Sequence, residues 1–176
     1  MFDHPTLALF REFLVVPAPP GREERFADLV RLKLDGLGLA HETDGMGNVR
    51  VRLSGQRPDG PLVVYAAHMD EIGMVVTQVR PDGTLAVDKS GGLYTWKIGE
   101  RPVDVMGDEA IVPGVFSLGS IHSRRIQTQP PPDWPQAQII TGLTPEALER
   151  AGVRVGSSAV PQAETRGPVI AIGAEA

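Results

Sequence analysis

A chain of 176 residues that is 41% hydrophobic and carries a net charge of −5 has enough apolar side chain for one ordinary domain or two small ones. Its Lys and Arg are dispersed, which leaves no footprint for nucleic acid or an anionic membrane, and no run reaches the roughly 18 apolar residues of a membrane span. With no cysteine, disulfides, thiolate metal sites and a cysteine nucleophile are excluded, so any metal must be held by His, Asp and Glu, a donor set suited to zinc, cobalt or manganese.

The amino end, Met1-Phe2-Asp3-His4-Pro5, lacks a basic region followed by an apolar one, and a cytoplasmic chain is expected. From Pro5 to Val15, Leu7, Leu9, Phe10, Phe13 and Leu14 recur at helical spacing until Val16-Pro17-Ala18-Pro19-Pro20-Gly21 forbids continuation. A second helix is predicted over Arg22 to Leu37. It sets Phe26, Leu29, Val30, Leu32 and Leu34 largely on one side, with Glu23 and Glu24 in the first turn and Gly36 and Gly38 at its close. Strand-like pieces Ala40 to Asp44 and Val49 to Leu53 flank Gly45-Met46-Gly47-Asn48, a hairpin signal. The turn Gly55 to Gly60 then leads into Pro61 to Ala67, an apolar run read as a buried strand ending at His68.

Beyond Gly73 the character changes to short β segments, Met74 to Val79, Thr84 to Val87, Val103 to Met106 and Glu109 to Phe116, separated by Pro81-Asp82-Gly83 and Gly91-Gly92. A small β-barrel or sandwich is expected. One helix interrupts it, Thr144 to Ala151, with Thr144 as cap, Pro145 first in the helix and Gly152 after its end. Ser123 to Pro135, with Arg124, Arg125 and three successive prolines, reads as an exposed loop; Val153 to Pro161 and Val169 to Ile172 read as further strands. The organisation is therefore an α/β layer over residues 1–72, a β-rich insertion over 73–165, and a short strand within 166–176 returning to the first unit. Two helices cannot cover both faces of the first unit's sheet, and if the chain is a fragment an exposed apolar edge and face around Val64, Ala66 and Ile170 is expected.

Chemistry concentrates at Ala67-His68-Met69-Asp70-Glu71-Ile72-Gly73. Side chains two apart in a strand share a face, so His68 and Asp70 are placed together and Met69 opposite. An imidazole can then hold a transition metal through one nitrogen while the carboxylate takes the proton on the other. A strand-end histidine merely satisfied by a neighbouring carboxylate is the plainer alternative. Position favours the first, because α/β folds bind ligands off the carboxyl ends of strands.

Taken together, the two helices around Val16-Pro17-Ala18-Pro19-Pro20-Gly21, the turn Asp44-Gly45-Met46-Gly47-Asn48 and the run Ala67 to Gly73 resemble the tetrahedral aminopeptidases. These are the dinuclear-metal glutamyl or deblocking aminopeptidases of clan MH. Gly91-Gly92, Val115-Phe116-Ser117-Leu118-Gly119-Ser120-Ile121-His122 and Gly142 to Gly156 look like that family's PDZ-like dimerisation domain. The resemblance implies a partial phosphorylase/peptidase-like α/β catalytic domain carrying an inserted PDZ-like β-rich domain. It also implies two divalent ions, zinc or cobalt, with His68 a ligand of one and Asp70 the catalytic-site carboxylate that orients His68. Short peptides would be the substrates, trimmed from their amino ends, and the β-rich domain would make a homo-oligomer, a dimer or a dodecamer. The family's remaining ligands and base glutamate come after the insertion, and would lie past Ala176.

Within the chain Asp88, Asp104, Asp108, Glu109, His122 and Asp133 are the other candidate donors, and none recreates the family spacing. His122 is the best of them, against a reading as a turn or packing histidine. Glu71 is expected to cap the turn rather than ligate, and His4 and His41 to lie at the surface. Trp96 and Trp134 are partner anchors or core residues, core packing suiting Trp96 at least as well. Arg124 and Arg125 could reach a neighbour's site or simply be solvated. Two other functions compete: a non-catalytic oligomerisation or interaction protein, and deacylation or carboxypeptidase-type cleavage within the same clan.

Overall fold

The computed structural model describes residues 4–57, 59–120, 132–166 and 169–172. Helix α1 (Pro5–Leu14) begins with Pro5 in its first turn, and the His4 Nδ1 accepts from the Thr6 N–H at 3.2 Å. The proline turn ends it and α2 (Glu24–Gly36) follows. Phe13 and Phe26 join the two helices edge to face, ring centroids 5.1 Å apart, beside a Lys33–Glu12 ion pair at 2.6 Å. The buried stripe of α2 is narrower than its periodicity suggests: Ala27 is buried, whereas Leu32 is 64% exposed.

Strands β1 (His41–Thr43) and β2 (Val49–Val51) form the expected antiparallel hairpin, with Glu42 opposite Arg50. The run 61–67, expected to be a buried strand, forms no strand, and Leu62, Val63, Val64 and Tyr65 are 66% to 95% exposed. Apolar composition cannot by itself satisfy a strand's N–H and C=O groups. A ladder partner must, and among the described strands β1 and β2 pair only with each other. Leu62 and Val64 instead line an open groove with Ala40, His41 and Val51. The apolar face expected around Val64 is thus exposed; the side chain of Ile170 lies outside those described.

The β-rich unit resolves the barrel-or-sandwich alternative. Strands β3 (Gly73–Val79), β4 (Leu85–Ser90), β5 (Arg101–Met106), β6 (Ile111–Ser117), β7 (Gln138–Ile140) and β8 (Ser158–Pro161) close a barrel. Its order is β3-β4-β7-β6-β5-β8, with every neighbouring pair antiparallel. Alternation sends Met74 and Val76, Leu85 and Val87, and Val103 and Val105 inward to meet Phe116, Ile139 and Ala159. Two short helices, α3 (Thr95–Ile98) and α4 (Pro145–Arg150), lie between strands. Thr144 caps α4 by accepting from the Ala147 N–H at 3.3 Å, and Leu148 joins the barrel's buried core. The two tryptophans reverse the expected preference: Trp134 packs on Phe116 at 6.1 Å, and Trp96 is 70% exposed beside Tyr94. The aromatic that looked more like core is on the surface because α3 is one turn long and turns only Thr95 and Ile98 inward.

Where the Val153 to Pro161 strand was expected, only its second half is extended, because the Val153 N–H closes α4 on the Leu148 carbonyl. The last pair, β9 (Glu164–Arg166) and β10 (Val169–Ile172), is an antiparallel hairpin with β10 passing near α1. The strand in this stretch takes its ladder bonds from β9. No helix among the described residues is long and apolar enough to cross a membrane.

Candidate functional site

Between the irregular run 61–67 and the start of β3, the chain turns so that the His68 ring folds back over its own backbone. The His68 Nδ1 lies 2.8 Å from the Asp70 carbonyl oxygen and 3.0 Å from its Oδ1. Both are acceptors, so in the neutral ring Nδ1 carries the proton and Nε2 the lone pair. The side chains are 77% and 42% exposed, which places the pair on the wall of a cleft rather than in the core. The segment is not a strand, and its faces are not segregated: Ala67, His68, Met69 and Asp70 all line the same pocket, Met69 included.

That pocket, about 430 Å³, is closed on a second side by the first turns of α2, with Glu23, Glu24 and Arg31. Its third wall is the β1–β2 turn with Met46, Gly47 and Asn48. Asp44 builds this turn by accepting from the Met46 N–H at 2.9 Å, the Asn48 N–H at 3.0 Å and the Asn48 side-chain amide at 3.0 Å. Gly47 supplies the φ of +87° that a side chain would resist. The Asn48 amide, and after it the Met46 N–H, hold the Asp44 carboxyl below the usual carboxylate range. Asn48 is therefore fixed at the rim of the cleft.

One residue past Asp70, Glu71 grips the proline turn twice. Its N–H donates to the Ala18 carbonyl at 2.9 Å, and its Oε1 accepts from the Ala18 N–H at 2.9 Å. Nearby, Arg22 just before α2 and Arg154 of the barrel both bind Asp108, the latter at 3.0 Å. The Arg22 hydrogen bond first and the Arg154 bond second hold the Asp108 carboxyl below its ordinary value.

Of the residues singled out from the sequence, the structure brings His68 and Asp70 together and leaves the others apart. Asp104 accepts from the Gln162 side chain at 2.8 Å, Asp88 from the N–H of Lys89 at 2.8 Å, and Asp133 caps the turn at Trp134. His41 meets Asp35 at 3.0 Å. His122, Arg124 and Arg125 lie outside the described residues. Among the described residues no three His, Asp or Glu side chains converge as a metal centre would require. Sequence reading missed Glu23, Glu24, Arg31 and Asn48 as cleft residues. The Asp44-to-Asn48 spacing with its two glycines could have signalled Asn48, whereas nothing local announces that the start of α2 folds over His68.

Against known families, residues 47–167 match the model of the M42 glutamyl aminopeptidases, which is well over half of the chain. The chain belongs to the M42 glutamyl aminopeptidase family. Glutamyl aminopeptidase from Lactococcus lactis is 28% identical over 138 residues, covering 78% of this chain and 32% of the relative. Among solved structures, an aminopeptidase from the archaeon Desulfurococcus kamchatkensis superposes with a TM-score of 0.80 at 29% identity, covering 92% of this chain and 44% of that one. A dodecameric TET1 assembly, PhTET1-12s, gives 0.75 at 25% identity over 93% of this chain and 48% of that one. The α/β organisation with separate sheets is thus that of M42 proteins. The chain spans about a third to just under half the length of these relatives.

Proposed function

We propose that this chain supplies part of a metal-dependent aminopeptidase that removes amino-terminal residues from short peptides. The observation that carries the reading is the His68–Asp70 pair in an M42 setting: Nδ1 is committed to a carboxylate, so ligation would fall to Nε2. The pair fits one ligand and the group that orients it. It does not make a complete site, since a bound divalent ion needs about four donors and the described residues gather no such cluster. The other donors for two zinc or cobalt ions would come from outside the described residues. Such ions would supply Lewis-acid activation of the scissile carbonyl; this chain's part is to present the imidazole, fix its tautomer and form one side of the cleft.

In the same reading, residues 1–72 belong to the catalytic domain and 73–165 are a PDZ-like dimerisation domain, with 166–176 leading back to the first unit. The barrel's possession of nearly all the buried apolar residues supports it as an autonomous insertion, and the dodecameric relative supports a homo-oligomer.

The test is metal content and hydrolysis of short peptides by the full-length protein and its His68→Ala variant. The variant should lose one of two divalent ions and fall more than about 100-fold in rate, with Asp70→Asn falling roughly 10- to 100-fold, the usual cost of losing a ligand's orienter. Unchanged metal stoichiometry and rate in His68→Ala would defeat the proposal.

A further inference from the structure

Three of the four residues Pro17, Ala18, Pro19 and Pro20 have no backbone N–H, so Ala18 carries the turn's only amide donor there. Ala18 is 2% exposed, and a buried amide without an acceptor is costly. Its acceptor is the Glu71 Oε1 at 2.9 Å, while the Glu71 N–H returns a bond to the Ala18 carbonyl at 2.9 Å. Two opposed bonds to one residue fix both the position and the direction of the chain at residue 71. The platform they fix it to is stiff, because proline rings lock φ in the turn.

The neighbourhood gives this contact its importance. Upstream, 61–67 has no ladder partner among the described strands and lies exposed. Downstream, Gly73 opens β3 and is held by the barrel. Between them the segment bearing His68 and Asp70 meets the amino-terminal helices at Ala18, and the same proline turn leads through Arg22 into Glu23 and Glu24 on the opposite wall of the cleft. We propose that Glu71 is a positioning residue: by locking its carboxylate onto the lone amide of the Pro17–Pro20 turn, it sets the distance between the His68–Asp70 wall and the α2 wall of the cleft. Glu71 touches neither metal nor substrate in this account. For its metal readout the proposal rests on the aminopeptidase reading of His68.

Glu71→Gln keeps a carbonyl oxygen to accept from Ala18, and Glu71→Ala removes it. In the full-length protein, hydrogen exchange read by mass spectrometry should rise in Glu71→Ala both over residues 14–20 and over 66–72, and stay near wild type in Glu71→Gln. Cobalt affinity, followed by its visible absorption, should weaken roughly 10- to 100-fold in Glu71→Ala, with kcat falling, KM within twofold and Glu71→Gln restoring both. Should the alanine variant lose its fold, Glu71→Met keeps the bulk and still lacks the carboxylate oxygen. Faster exchange confined to 14–20 with cobalt affinity and kcat unchanged would overturn the proposal, as would equal impairment of the Gln and Ala variants. A failed aminopeptidase reading would show separately, as a wild-type protein whose cobalt binding is indifferent to His68→Ala; the exchange measurement then still decides whether Glu71 sets the 66–72 segment.

Discussion

Gly73 stands where the segment bearing His68 and Asp70 becomes barrel, and no side chain fits there. A Cβ at this position would come within 2.7 Å of the Ala159 carbonyl oxygen on the adjacent strand β8. That oxygen belongs to the backbone of a closed barrel, so it cannot swing away as the tip of a side chain could. Gly73→Ala should therefore destabilise the barrel by about 1–3 kcal/mol, the range for forcing a methyl into a packed site, measured as a lowered urea midpoint. A midpoint equal to wild type would mean that β3 and β8 can separate without loss. At the same scale, the His68–Asp70 contact was legible from the i, i+2 spacing, although the backbone there is irregular rather than the strand that the spacing suggested.

Among the elements, one bridge from the helices to the barrel is ionic. Arg22, ahead of α2, and Arg154, after α4, converge on Asp108 in the β5–β6 turn. Asp108 titrates lower folded than unfolded, so the unfolded chain takes up its proton first as pH falls. The stabilisation is then complete above the unfolded value, near pH 4, and is lost as pH drops through the lower folded value. Asp108→Asn should lower stability slightly at neutral pH and flatten the acid limb below about pH 4 by the same small amount, small because the ions are partly exposed. Denaturant midpoints at a series of pH values check this; an acid limb as steep as wild type would remove Asp108 from the account. The short strands β1 and β2 and helices α1 and α2 were legible as elements because each carries its own punctuation of proline, glycine or caps.

Over the whole molecule, burial is uneven. The core cluster lies entirely between Met74 and Ala159, whereas among the described apolar residues before Gly73 only Ala18, Pro19 and Ala27 are buried to the same degree. Local opening should track that contrast. A broad-specificity protease acting on the 176-residue chain should cut first within 52–67 and leave a resistant core near 73–161, identified by intact mass. First cleavage inside the barrel would contradict the assignment of stability to it.

Local pattern determined helices α1, α2 and α4, the β1–β2 hairpin, strands β3 to β6, the change of character at Gly73 and the pairing of His68 with Asp70, because each depends on neighbours a few residues away. Tertiary structure decided what depends on distant partners. It closed the barrel, sent Trp134 inward and Trp96 outward, and left 61–67 without a ladder among the described strands. It also brought Glu23, Glu24 and Asn48 around His68 and joined Glu71 to an alanine 53 residues away. A hydrogen-bond acceptor or a strand partner supplied from across the fold leaves no periodicity in the segment that receives it.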